Sequence, residues 1–171
     1  MSTILNNKDE LQKIPRLPKA RIDKIHKVLV EYQYSSKIVI DLTSMGFSNK
    51  NALSIVNKYK NKALDKIKDN IYSLIEDMDF NFLDIDSIAL NSLMEENDDR
   101  RIRALIIYCI NEDTYNTGNT YMTYDEIKRA LLKYNSSITD EILEYNIYKL
   151  NELRKIKIIK DKYYLKAFYQ C

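Results

Sequence analysis

Only two glycines and two prolines occur in 171 residues, and this scarcity constrains the fold more than any other feature of the chain. Those residues supply the positive-φ and fixed-φ positions of tight turns. A chain so poor in them predicts helices joined by short connections, and it disfavours an all-β sandwich with its many glycine turns. The length suits one medium domain or two small subdomains, each with a modest core. Hydrophobic residues at 45% and charged residues at 30% are ordinary for a soluble globular protein.

Net charge is only +2, so the distribution of charge matters more than its sum. A basic N-terminal third and a basic C-terminus flank an acidic middle running from Glu76 to Asp99. Fourteen tyrosines offer base-stacking surface, but with abundant Lys, Asn and Ile they equally fit AT-rich codon usage and carry no functional weight. Cys109 lies in the apolar run "IRALIIYCI" and Cys171 is terminal, giving neither a disulfide framework nor zinc spacing. A reducing cytoplasm is the expected compartment. No apolar run approaches the roughly 18 residues of a membrane span, and the N-terminus has no signal-type core. No membrane partner is expected.

Residues 1–9 are polar and read as a disordered N-terminus. "LQKIPRLPKARIDKIHKVLVEY" spaces Leu11, Ile14, Leu17, Ile22, Ile25 and Val28 as a short helix, a proline-marked turn and a longer helix. "SKIVIDLTSMGFSNKNALSIVNKYK" repeats that scheme, with Gly46 in the turn, Ser48 as N-cap, and Ala52, Ile55, Val56 and Tyr59 on one face. "ALDKIKDNIYSLIEDMDFNFLDIDSIALNSL" is a third such pair turning at "DFNF". A spacing of about 30 residues suggests a repeated two-helix unit over 10–97. Residues 98–171 read as a second region. It starts with a buried helix from about Asp98 to Thr114 and a loop on Gly118, followed by two capped helices, "TYDEIKRALLKY" and "TDEILEYNIYKLNELRK". Two short strands across Lys160–Asp161 end it. That order suggests a winged-helix-like ending, and the fold class is mostly α.

Several blocks, in order, resemble one family. "DNIYSLIEDMDFNFLDIDSIA" is similar to an N-P-Y-x-L segment followed by G-I-G-F and A-D-x-I-A, matching at Asn70, Tyr72, Leu74, Phe82, Asp86, Ile88 and Ala89. "RRIRALIIYCI" matches R-I-R-A-x-x-x-Y-x-L at Arg101, Ile102, Arg103, Ala104 and Tyr108. "TGNTYMT" matches G-H-T-Y-L-P at Gly118, Thr120 and Tyr121, with Asn119 in place of histidine, and "KIKIIKDKYYLKAFYQC" is similar to a strand pair leading to Y-L-x-x-L-Y. From Leu11 onward the chain thus resembles the N-terminal helix–hairpin–helix region of RecD/TraA-type, exodeoxyribonuclease V alpha-like DNA helicases. The resemblance implies tandem helix–hairpin–helix units, a place in DNA repair or recombination, and a helicase motor in the same parent protein as partner. No G-x-x-x-x-G-K-[ST] phosphate loop occurs in the chain, so it is expected to be non-catalytic and free of cofactors, an accessory module without the ATPase motor.

In a working helix–hairpin–helix, a G-x-G turn lets backbone N–H groups at the start of the second helix hold a DNA phosphate without reading sequence. Arg16 and Pro18 replace those glycines in the first unit, which loses a donor at proline, although Arg16, Lys19, Arg21, Lys24 and Lys27 offer direct charge. The second turn, with Gly46, Ser48, Asn49 and Lys50, is the most intact phosphate site. The third places Asp79, Phe80, Asn81 and Phe82 there and reads as structural, since a carboxylate repels phosphate. Lys58, Lys60, Lys62, Lys66 and Lys68 line either a phosphate groove or a solvated helix face. Lys157, Lys160 and Lys162 sit on either a DNA-binding wing or a solubilising edge. Arg100, Arg101 and Arg103, close to Asp98 and Asp99, read as internally paired.

Catalytic and metal residues are not expected. His26 is the only histidine and has no nucleophile motif. Asp84 and Asp86, two apart on a helix, do not face one another. The expected function is sequence-independent binding to the phosphate backbone of single-stranded or forked DNA. The alternative is a helical protein-interaction scaffold whose hairpins have lost DNA.

Overall fold

A computed structural model of the chain describes residues 19–92 and 94–166. The expected disordered segment 1–9 and the first hairpin turn, with Arg16 and Pro18, lie outside the described residues. Contacts divide the chain into two compact units, 1–69 and 70–171.

In the first unit, helix α1 (Lys19–Met45) runs unbroken for 27 residues. This corrects the expectation that the longer helix of the first pair and the opening helix of the second are separate elements. The stretch "EYQYSSK" contains neither glycine nor proline, so nothing in it interrupts the hydrogen-bond ladder. Val28, expected on the apolar face, is 56% exposed, whereas Ile22, Ile38 and Leu42 are buried. The helix ends at Gly46, φ 120. The Phe47 N–H donates to Leu42 O and the Gly46 N–H to Thr43 O, the paired bonds of a Schellman cap, with buried Phe47 and Leu42 as its apolar accompaniment. Ser48 then caps α2 (Asn49–Tyr59), whose Ala52, Ile55 and Val56 are buried. Helix α2 packs on α1. A 3-10 turn (Lys60–Lys62) leads into α3 (Ala63–Asn70).

The second unit opens with α4 (Ser73–Met78) and α5 (Phe82–Ser92). The long α6 (Asp99–Thr117) is capped by Asp98 and closed by Gly118 at φ 78. Strand β1 (Tyr121–Met122), absent from the sequence reading, follows. Thr123 and Glu126 form a reciprocal capping box at the start of α7 (Tyr124–Leu132), and Thr139 caps α8 (Asp140–Glu152). Strands β2 (Ile156–Ile159) and β3 (Lys162–Leu165) form the hairpin expected from the alternation. The antiparallel sheet has the order β1–β3–β2, pairing Tyr121 with Tyr164 and Lys157 with Tyr164 from the other side. Helices α7 and α8 both pack on α6, where Ile102, Leu105, Ile106, Ile110, Ile127, Leu131, Leu143 and Leu150 are buried.

A polar network joins Tyr72, the residue before α4, to α5 and α6 inside this unit. Asp86 accepts bonds from the Tyr72 hydroxyl at 2.7 Å and from Arg101 Nε and Nη2 at 2.8 and 3.1 Å. Arg101 also donates to the carbonyls of Glu96 and Tyr134. Phe82 stacks between Tyr72, at 5.9 Å, and Tyr108, at 4.6 Å. The residues carrying the strongest resemblance blocks are therefore packing residues. No described helix is long and apolar enough to cross a membrane.

Candidate nucleic-acid interface

The turn between α1 and α2 brings together backbone N–H groups at a helix start and a lysine. The first N–H groups of a helix have no acceptor one turn back. In α2 the Asn51 N–H is satisfied by Ser48 Oγ at 3.1 Å and the Ala52 N–H by Ser48 O at 2.8 Å, which leaves Asn49 and Lys50 as the helix's outward donors. Both residues are exposed, and the first turn of α2 contains no carboxylate. The positive end of the helix dipole is thus unopposed locally. Gly46, Ser48, Asn49 and Lys50, chosen from sequence, converge at this one turn.

The other end of α2 carries a second basic group. Lys58 lies in its last turn, and Lys60 has the left-handed value φ 54. The ammonium groups of Lys58 and Lys66 each lie 5.7 Å from the Tyr59 ring centroid, which places two positive charges about one aromatic ring. The sequence places Tyr59 on the apolar face with Ala52, Ile55 and Val56. At the start of α1, Arg21 is exposed, Lys19 begins the helix, and Arg16 lies outside the described residues.

In the second unit the register separates the two faces of the hairpin. Lys157 opposes Tyr164, Ile159 opposes Lys162, and Tyr164 opposes Tyr121. Alternation therefore puts Lys157, Lys162, Tyr121 and Tyr164 on one face, with the Lys162 ammonium 4.8 Å from the Tyr121 ring centroid and the two tyrosines 5.5 Å apart. Lys160 occupies the turn at φ 54. Neither tyrosine is among the basic candidates named from sequence; the period-two pattern of "IKIIKDKYYL" places Tyr164 beside the lysines, and only the β1 pairing adds Tyr121.

Elsewhere charge is tied up internally. Asp79 takes the left-handed conformation, φ 57, after α4, Asn81 Oδ1 accepts the Leu83 N–H at 2.8 Å, and Asp84 stands in the first turn of α5. That third turn flanks its helix start with carboxylates. Arg100 pairs with Asp98 at 2.9 Å, which holds the Asp98 carboxyl below its ordinary range, and Arg103 donates to Asn146. Cys109 is buried, and desolvation pushes its thiol up to about 12, far from a reactive thiolate. Asp86 is buried while Asp84 is exposed. Among the described residues no cluster of His, Cys, Asp and Glu is placed to hold a metal ion.

Residues 31–121 match the family model described as the ATP-dependent RecD2 DNA helicase HHH domain. The match begins inside α1, spans the Gly46 turn and the buried Tyr72–Asp86–Arg101 network, and ends at β1, so the chain belongs to the helix–hairpin–helix family of the RecD2 DNA helicases.

Proposed function

We propose that the chain is a sequence-independent DNA-binding accessory module. It holds the phosphate backbone of single-stranded or forked DNA in the cytoplasm and presents it to a helicase motor of the same parent protein. The observation that carries this reading is the α1–α2 turn, where two outward N–H groups, an unopposed helix dipole and Lys50 converge. Lys19 and Arg21, Lys58 and Lys60, and the face bearing Lys157 and Lys162, with Lys160 at its tip, add cationic contacts. We read α6–β1–α7–α8–β2–β3 as a winged-helix-like subdomain, with the hairpin as its wing. Binding through phosphate falls steeply as salt rises, because each contact releases a counterion.

The test is fluorescence anisotropy of labelled single-stranded, duplex and forked DNA over a salt series. Lys50→Glu is expected to weaken binding about tenfold at low salt and to reduce the magnitude of the salt slope by about one. Asn49→Pro removes one donor N–H at the first helical position, where proline is compatible with the helix, and is expected to weaken binding while circular dichroism stays unchanged. Wild-type binding insensitive to both substitutions, or absent at all salt concentrations, refutes the reading.

A further inference from the structure

Behind the hairpin, on the face opposite Lys157 and Lys162, the second unit holds a groove of about 500 Å3 between α7, α8, β2 and β3. Its carboxylates are Asp125, Glu144 and Asp161, and no lysine or arginine lines it. Ile147 and Ile158 lie among them, with the rings of Tyr124, Tyr148 and Tyr163. Tyr148 is 63% exposed. We infer that this groove docks a segment of a partner protein bearing lysine and arginine, its apolar and aromatic surface taking the aliphatic stems and its carboxylates the cationic heads.

Charge complementarity selects that occupant. Three carboxylates in one concavity repel each other, and Asp125 and Glu144 make no ion pair among the described residues. The Tyr163 phenol is raised by burial and by Asp161 and Glu144 together, so a negative field reaches the interior of the groove. The same field excludes nucleic acid. In a helix–turn–helix reader the second helix enters the major groove. Here that helix, α8, carries Asp140, Glu141, Glu144 and Glu152 against Lys149 alone, and Lys149 is bonded to Glu152 at 3.2 Å. A flexible cationic side chain fits instead, because its stem covers apolar surface and its head stacks on tyrosine or pairs with carboxylate. Another open groove of the unit mixes signs, with Arg100, Arg103 and Lys149 beside Asp98, Asp99 and Glu152.

The probe is a fluorescein-labelled peptide of alternating lysine and leucine, with a glutamate–leucine peptide as comparison, titrated with the full chain at about 0.1 M salt. The lysine peptide is expected to bind and the glutamate peptide not to. Glu144→Lys and Tyr148→Ser, both at exposed positions, are each expected to weaken binding about tenfold. Asp84→Lys, an equal change of net charge on α5, should stay within about twofold. No binding by the wild type, or equal losses in Glu144→Lys and Asp84→Lys, overturns the inference. DNA anisotropy on the same samples separates the two readings: Glu144→Lys is expected to leave DNA affinity undiminished, and a loss there would make the groove a DNA contact and overturn peptide docking.

Discussion

Arg101 is 2% exposed, and its guanidinium is committed to Asp86 and two carbonyls. Removing it alone strands a buried carboxylate, so Arg101→Leu is expected to cost about 3–5 kcal/mol, read as a fall in the urea midpoint. The joint replacement Arg101→Leu, Asp86→Leu should recover most of that loss, because neither charge is then left buried. Sequence marked these positions as a motif without disclosing why. Fourteen residues separate Tyr72 from Asp86 and fifteen separate Asp86 from Arg101, distances over which no local periodicity speaks. Conformation at single residues gives opposite expectations at two turns. Gly46→Ala places a side chain at φ 120 and is expected to lower stability by about 1–3 kcal/mol. Lys160→Gly relieves φ 54 and is expected to raise it by up to about 1 kcal/mol. Thermal melts check both.

At the scale of elements, ends were more legible than continuity. Ser48, Asp98, Thr123 and Thr139 declare their helices because an oxygen beside free N–H groups is a local solution needing no tertiary contact. Thr123→Ala is therefore expected to cost about 1 kcal/mol in urea unfolding. The unbroken α1 was not legible because the apolar pattern divides between two units, while the stretch between them holds no glycine or proline that would force a break. Strand β1 was invisible for the opposite reason. Two residues, Tyr121 and Met122, hold no periodicity, and their partners Tyr164 and Tyr163 lie at the far end of the unit. The α1–α2 turn itself was legible from Gly46 and Ser48, a helix stop followed by a helix cap. The sorting of Lys157 and Lys162 to one face and the carboxylates to the other depended on sheet register.

For the molecule as a whole, the groups with displaced protonation predict a one-sided response to pH. Burial pushes the Cys109 thiol and the Tyr108 phenol each up to about 12, and burial with bonds to Asp86 and Asp140 raises Tyr72 and Tyr124. Above about pH 9 the unfolded chain loses protons that the folded chain keeps, so stability falls as pH rises. The contribution is complete below about pH 8 and is lost progressively toward pH 12. The urea midpoint is expected to drop between pH 8 and 10. On the acid side Asp98 works in the other direction, its stabilisation disappearing as the pH falls through its depressed folded value. A further consequence belongs to α1. A 27-residue helix is a rod of about 40 Å that turns about 100° with every residue. It therefore gears its two ends together. One residue inserted near Tyr32 swings Lys19, Arg21 and Ile22 by more than a quarter turn about the axis relative to Gly46. Seven inserted residues nearly restore the phase and lengthen the rod by about 10 Å. The spacing between the basic start of α1 and the turn at its end is thus quantised by helical pitch, and length changes in this segment are tolerated in near-whole turns.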